Sequence, residues 1–147
     1  SISFSKTIKW YKETGINSTS YEVKTKHKGN KISIEFSENG ELEDIEIKIR
    51  PSQIPYKTLV EIQNILKKKH NKFKIQKAQI QYTGNQEEIQ DFIKSGDNSN
   101  ELTIKYELMI SAKENGSFVM YEYLFSEKGE FILRSEVVMK NNDNILY

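Results

Sequence analysis

Phe36-Ser37-Glu38-Asn39-Gly40-Glu41 recurs 89 residues later as Phe125-Ser126-Glu127-Lys128-Gly129-Glu130, with five of the six residues identical. Each copy follows one strand-like run and precedes another. A Ser-Glu-x-Gly connection suits a type I turn closed by a glycine of positive φ, which is a common short hairpin with a bulge. The repetition therefore predicts a chain built from two related β-units, with the repeated stretch acting as a turn.

Alternation of apolar and polar residues predicts strands on both sides of each copy. In the first unit they are expected at 6–13, 21–26, 31–36 and 41–50, and in the second at 73–82, 102–110, 118–125 and 131–138. Leu42 falls out of phase with the apolar face of its strand, so we expect a bulge near Glu43-Asp44. Lys28-Gly29-Asn30 and Asn115-Gly116 are typical hairpin turns. Residues 141–144 indicate the start of a frayed tail.

One long helix is predicted at 56–70, where Leu59, Ile62, Ile65 and Leu66 form an apolar stripe at helical spacing. The apolar faces of the strands are the partner on which this stripe can be buried. A shorter helix at 87–93 lies within a polar segment. We expect one α+β domain, 1–147, in which a curved antiparallel sheet of seven or eight strands packs on helix 56–70. Its repeat units span about 4–50 and 55–140, and only the second has a leading helix.

The overall charge excludes a general attraction to nucleic acid or anionic lipid, since 22 basic and 21 acidic residues leave a net charge of +1. The short basic run at 67–70 complements the dipole at the end of a helix. Cysteine is absent, which excludes disulfides, thiol catalysis and cysteine metal sites. No apolar run approaches a membrane span. The chain has neither an initiating Met nor a signal peptide, so we expect a mature or trimmed form.

No group of residues forms a catalytic, cofactor or metal signature. His27 and His70 lie on different elements and are expected at the surface, since a metal site needs several converging ligands. The acidic run at 38–46 is split across both faces of a strand and lacks the spacing of a calcium loop, so we interpret it as a solvated edge. No serine stands in a nucleophile elbow, and no glycine-rich loop could hold phosphate. The protein is therefore expected to be no enzyme and to need no cofactor.

Aromatic residues are the most distinctive candidates for binding. Exposed tyrosines on a sheet are frequent anchors for protein partners. Tyr121 is expected on the face opposite Met120 and exposed there, which makes Tyr121, Tyr123 and Trp10 candidate partner-binding residues. A core position is the alternative for each of them, and Trp10 is expected in the core.

The order of elements resembles the PepSY-like repeats of secreted bacterial proteins, in which two units form a fold similar to β-lactamase inhibitor protein. The matching residues are Ile8-Lys9-Trp10, Tyr21-Glu22-Val23, Tyr106-Glu107-Leu108 and both copies of the turn. The resemblance covers roughly 4–138 and departs from the family pattern in the missing first helix. It implies a periplasmic or secreted binding module without catalytic residues. The duplicated β-unit, the aromatic content and the lack of a catalytic set lead us to expect a non-enzymatic module that binds a protein partner through its sheet face.

Two alternatives remain open at the level of sequence. A small-molecule-binding protein or enzyme of the cystatin-like α/β-roll kind would have a deep cavity between helix and sheet. Tyr56, Trp10 and Tyr106 are the candidates to line that cavity. A structural domain of a larger assembly is the other alternative.

Overall fold

The computed structural model describes residues 8–14, 18–27, 29–95, 102–137 and 145–146. These residues form nine strands and two α-helices, with a 3-10 turn at Pro51–Gln53. The strands are β1 (Lys9–Thr14), β2 (Thr19–His27), β3 (Asn30–Ser37), β4 (Leu42–Ile49), β5 (Phe73–Thr83), β6 (Thr103–Glu114), β7 (Ser117–Ser126), β8 (Phe131–Glu136) and β9 (Ile145–Leu146). The helices are α1 (Tyr56–Lys69) and α2 (Gln86–Ser95).

Backbone hydrogen bonds order the strands β8-β7-β6-β5-β4-β3-β2-β1-β9. Every pairing whose register is described is antiparallel. The predicted α+β class, the antiparallel sheet and the main helix are therefore confirmed. No helix in the described ranges is both long and apolar enough to cross a membrane.

The chain forms two compact units whose limits differ from those of the sequence repeat. Unit 1 comprises 1–47, 81–103 and 141–147, whereas unit 2 comprises 48–80 and 104–140. Unit 1 therefore has a helix of its own, because α2 lies at 86–95. The sequence repeat does not reveal this helix, since α2 follows the first repeat unit instead of leading it.

The core of unit 1 forms between α2 and the apolar faces of its strands. Ile89 and Phe92 of α2 are buried in one cluster with Val23, Ile34 and Ile45. These three strand residues occupy one cross-strand row, since Val23 pairs with Ile34 and Ile34 with Ile45. Residues directly opposite in an antiparallel pair share a face of the sheet. The alternating apolar positions of β2, β3 and β4 thus all turn toward α2.

The core of unit 2 forms between α1 and the apolar face of β6 and β7. Ile62 and Leu66 of α1 are fully buried in one cluster with Leu108, Tyr123 and Phe125. Each fully buried aliphatic side chain of this size is worth about 1.5–3 kcal/mol of transfer free energy. The apolar stripe predicted on α1 is thereby confirmed. It fills the space between the helix and the sheet.

The two copies of the repeated turn adopt the same hydrogen-bonded conformation. In the first copy, the Gly40 N–H donates to the Ser37 carbonyl at 2.9 Å and the Glu41 N–H to the Ser37 hydroxyl at 3.1 Å. The corresponding distances in the second copy, at Ser126, are 2.9 and 3.0 Å. The glycines have φ values of 79° and 89°. Glycine adopts this left-handed conformation without steric cost, so the repeated sequence encodes a repeated turn.

A β-bulge follows each copy of the turn. Glu35 pairs with Asp44 and Phe36 with Leu42, so Glu43 is the extra residue on β4. This confirms the bulge predicted near Glu43-Asp44.

The second unit repeats this pairing at the same offset of 89 residues. Leu124 pairs with Leu133 and Phe125 with Phe131, which makes Ile132 the extra residue on β8. The bulge is thus part of the repeated structure.

The end of the chain contributes one strand that the pattern of residues did not predict. Trp10 and Tyr11 of β1 pair with Leu146 and Ile145 of β9. The tail expected to begin at 141–144 lies outside the described residues.

Candidate interaction surface

Strand β8 of unit 2 carries exposed apolar side chains next to a cationic one, and the Lys69 side chain of α1 lies against it. We define the β8 surface as Lys69, Phe131, Ile132, Leu133 and Arg134. All six residues of β8 are exposed, and Leu133 exposes 48% of its area. Phe131, Ile132 and Leu133 are three consecutive large apolar side chains exposed to solvent. Exposed apolar groups of this kind tend to mark interaction sites.

The bulge at Ile132 determines which side chains of β8 share a face. Phe131 lies opposite Phe125, and Arg134 lies opposite Tyr123. Side chains at positions 131 and 134 would point to opposite faces of a regular strand, because alternation has a period of two. The extra residue brings Phe131 and Arg134 to the same face, together with the buried aromatic residues of β7.

Two cations cover aromatic rings on this face. The Lys69 ammonium lies 3.7 Å from the centroid of Phe131, and the Arg134 guanidinium lies 4.5 Å from that of Tyr121. Cation–π contacts at such exposed positions are worth about 0.5–1 kcal/mol each. The hydrogen bond that Arg134 makes with Tyr123 raises the pKa of the guanidinium, so Arg134 is a fixed positive charge. The face therefore carries two cations, Lys69 and Arg134, above an aromatic base.

A partly buried polar network lies beneath the Arg134 side chain. His70 Nε2 lies 2.6 Å from the Tyr123 hydroxyl, and its Nδ1 lies 3.6 Å from Glu114 Oε1. The Tyr121 hydroxyl donates to the other oxygen of Glu114 at 2.8 Å. The His70 and Tyr121 rings also stack, with centroids 5.5 Å apart. The network fixes the two tyrosine rings on which the Arg134 side chain rests.

Burial of the His70 ring lowers its pKa, and the nearby Glu114 carboxylate only partly opposes this effect. The ring is accordingly neutral at pH 7, with one nitrogen donating and the other accepting. Both contacts are satisfied if Nδ1 carries the proton and Nε2 accepts from the Tyr123 hydroxyl.

The expectation that His70 lies at the surface is therefore wrong, because the helix stripe continues through it. Thr58, Ile62, Leu66 and His70 are spaced four residues apart, and all four are buried. That spacing is the sequence signal that could have identified the buried histidine.

The structure corrects the expected exposure of Tyr121 and places both candidate tyrosines in the core, which was the alternative for each. Tyr121 exposes 7% of its area and Tyr123 none, because both share the core face of β7 with Phe125. In this conformation neither can offer appreciable area to a partner. Their connection with the β8 surface is indirect, through the ring contact of Tyr121 and the hydrogen bond of Tyr123 with Arg134.

Trp10 was expected in the core, but its side chain is exposed. It lies in unit 1 on β1, opposite Val23, and exposes 54% of its area. Its ring stacks on Phe36 with a centroid distance of 6.2 Å. Trp10 therefore has an anchored ring and free surface, as a contact residue would require.

Acidic side chains converge on the face of unit 1 opposite its core. Carboxylate oxygens of Glu22, Glu35 and Glu46 lie within 4.8 Å of one another, on β2, β3 and β4. Glu22 also accepts a 2.6 Å hydrogen bond from Ser33 and lies 3.2 Å from the Lys24 ammonium. Three carboxylates at this spacing could hold a cation.

The interpretation of the acidic run at 38–46 as a solvated edge is wrong for Asp44 and Glu46, which are buried. The cluster arises across strands and not along the run, and the cross-strand register brings Glu22, Glu35 and Asp44 into one row. Burial, and then the charges of Asp44 and Glu46, raise the pKa of Glu35 from 4.5 to about 8. Glu35 is therefore largely protonated at neutral pH.

Two of the residues considered as lining for a cavity between helix and sheet lie in different environments. Tyr106 is a core residue, whereas Tyr56 is almost fully exposed. An open groove of about 570 Å³ lies on the outside, between the start of α1 and the second copy of the turn. Its lining includes Tyr56, Val60 and Lys128. It resembles a surface depression more than an enclosed ligand site.

Comparison with known proteins identifies the fold. No protein-family model matches the sequence, and no match is found among curated proteins. A crystal structure of a BLIP-like protein from Bacteroides fragilis NCTC 9343 superposes with a TM-score of 0.54 at 14% sequence identity. The alignment covers 96% of this chain and 81% of that one. At this identity the likeness concerns the fold alone, and we conclude that the chain has a BLIP-like fold.

Proposed function

We propose that this protein is a non-enzymatic module that binds a protein partner through the β8 surface. The observation that carries the proposal is the run of three exposed apolar side chains, Phe131, Ile132 and Leu133, beside the cations Lys69 and Arg134. Aromatic residues and arginine are enriched at protein interfaces, and lysine stems and guanidinium planes pack well on apolar surfaces. A BLIP-like fold suggests a protein-binding module at most, and is consistent with this proposal.

The proposal extends to location and to a second contact. Export to the periplasm or to the outside of the cell rests on the resemblance to PepSY-like repeats. Trp10 is the candidate contact in unit 1, because its ring is half exposed yet anchored on Phe36. The lack of enzymatic activity rests on the sequence, in which no catalytic motif is recognised.

Site-specific photocrosslinking in the cells that produce the protein tests the β8 surface. A photoreactive phenylalanine analogue placed at Leu133 should crosslink one defined protein, and an excess of the unlabelled wild-type chain should compete for it. The same analogue at Phe118 is the matched control, since Phe118 exposes 65% of its area on β7. Equal capture at both positions, or no competed product at Leu133, would contradict the proposal.

Fluorescence tests the second contact with the partner so captured. Trp10 is the single tryptophan of the chain, so its emission reports on one site. Contact with a partner should remove water from the ring and shift the emission to shorter wavelength. An unchanged spectrum at saturation would exclude Trp10 from the interface.

A further inference from the structure

The outer edge of β8 is open to another strand among the described residues. β8 ends the strand order, and its inner edge is hydrogen bonded to β7. The Val137 N–H donates to the Met120 carbonyl at 2.8 Å. Backbone groups of an antiparallel pair alternate between the two edges of a strand, so those of Ser135 also face β7. The N–H and C=O groups of Arg134 and Glu136 consequently face outward.

We propose that two copies of this chain associate by antiparallel pairing of their β8 edges, with Arg134 of each copy opposite Glu136 of the other. This inference rests on the proposed function, since it names a second copy as the partner of the β8 surface. An exposed edge strand is a ready template for another strand. The charges of β8 decide which strand fits.

The charges on β8 favour one symmetric register. Residues whose backbone groups face outward must pair with each other, which leaves few alignments of two identical strands. Placing Arg134 opposite Arg134, or Glu136 opposite Glu136, sets like charges face to face and is destabilising. Centring the pair on Ser135 places opposite charges face to face twice. A twofold arrangement makes every favourable contact occur in duplicate.

The same register gives the exposed apolar side chain of Leu133 a partner. Two positions from the centre, Leu133 of one copy lies opposite Val137 of the other, and this contact also occurs twice. Leu133 exposes nearly half of its area in the single chain. Aliphatic cross-strand pairs add about 0.2–1 kcal/mol each to the backbone hydrogen bonds. Backbone, charge and apolar contacts are thus satisfied by one alignment.

Charge exchange followed by sedimentation velocity tests the register. The wild-type chain should form dimers within about 1 µM to 1 mM. Arg134→Glu or Glu136→Arg alone should weaken self-association about tenfold or more, because each creates two like-charge pairs. The double variant restores opposite charges and should recover the wild-type constant within about threefold. A monomeric wild type across this range, or a double variant no tighter than the single ones, would overturn the inference.

Cysteine crosslinking provides a test that leaves Arg134 and its internal contacts intact. The chain contains no cysteine, so a single introduced thiol reports on itself alone. Ser135→Cys should give a disulfide-linked dimer under mild oxidation, because non-hydrogen-bonded antiparallel partners have Cα atoms about 4.5 Å apart. Leu133→Cys is the matched control on the same face, since its two copies would lie roughly 13 Å apart along the strands.

Equal crosslinking of the two cysteine variants would overturn the register. Absence of a Ser135→Cys dimer would overturn the pairing itself. Neither result affects the photocrosslinking of a different protein at Leu133, so failure of the self-association is distinguishable from failure of the proposed function.

Discussion

Glu35 couples the stability of unit 1 to pH. Its pKa is raised from 4.5 to about 8 by burial and by the neighbouring acids Asp44, Glu46, Glu13 and Glu22. Between these two values the folded chain holds a proton that the unfolded chain has released. Stability must therefore fall as pH rises from about 4.5 to 8, and the contribution is fully lost above pH 8. The Lys24 ammonium pairs with Glu22 of this cluster.

Glu35→Gln should stabilise the protein at alkaline pH. The amide stays neutral, so the variant avoids ionising a crowded carboxyl and should gain on the order of 1–2 kcal/mol at pH 9 after allowance for solvent screening. At pH 4 the two proteins should be similar. Urea unfolding at a series of pH values measures the difference. Glu43→Gln, on the exposed bulge of β4, removes the same charge as a control. A constant difference between Glu35→Gln and wild type at all pH values would refute the assignment of the pH dependence to Glu35.

His70 gives the stability of unit 2 the opposite dependence on pH. Because burial lowers its pKa below the ordinary 6.5, the unfolded chain takes up a proton at a higher pH than the folded one. Stability should fall as pH decreases below about 6.5. His70→Gln should cost about 2–3 kcal/mol at pH 8 through the damaged network. This cost should shrink toward pH 5.

Tyr123→Phe distinguishes the protonation of His70 from its hydrogen bond. It removes the 2.6 Å contact, together with the hydrogen bond to Arg134, but keeps the imidazole and the aromatic stacking. We expect a loss of about 1–3 kcal/mol at pH 8, with the acid-side slope of stability retained. Thermal unfolding between pH 5 and 8 measures both quantities. If His70→Gln keeps the wild-type slope, the titration belongs to another group.

At the scale of elements, the two copies of the turn provide a matched pair of glycines. Both have positive φ, but a Cβ at Gly40 would meet nothing within 4 Å. At Gly129 it would lie 2.8 Å from the Thr58 carbonyl oxygen and 3.0 Å from the Glu61 Cβ. The second turn is thus pressed against α1, where the Thr58 hydroxyl donates to the Glu127 carbonyl at 2.9 Å.

Gly40→Ala should cost about 1 kcal/mol, because only the left-handed backbone is strained. Gly129→Ala should cost a further 1–3 kcal/mol or so, since helix or turn must shift to admit the methyl group. The free energy of unfolding in urea compares the two variants directly. Equal losses would indicate that the turn moves freely away from α1.

Local sequence patterns predicted the strands, turns and main helix well, because each of these is determined by residues close together in the sequence. The turn copies, the bulge at Glu43, the hairpin at Asn115-Gly116 and the limits of α1 all follow from short-range chemistry. The positive φ values at Asn115 and Gly116, for example, are those that a two-residue hairpin turn requires. A strand as short as β9 leaves no comparable signal in the sequence.

At the scale of the whole molecule, the candidate sites depend on which strands become neighbours. Glu22, Glu35 and Glu46 are far apart in sequence and meet only through the register of β2, β3 and β4. Likewise, the burial of Tyr121 and Tyr123 depends on the packing of α1 against β7. Periodicity assigned these residues to faces of strands. It did not determine which face is covered.

The pairing of β9 with β1 joins two strands that are far apart in the sequence. Trp10 and Leu146 are paired although 136 residues separate them, the longest separation among the described strand pairings. Loop-closure entropy grows with the length of the intervening chain, and contacts between distant residues slow folding. We therefore expect this pairing to form late in the folding of unit 1, because closing the long intervening loop costs the most conformational entropy.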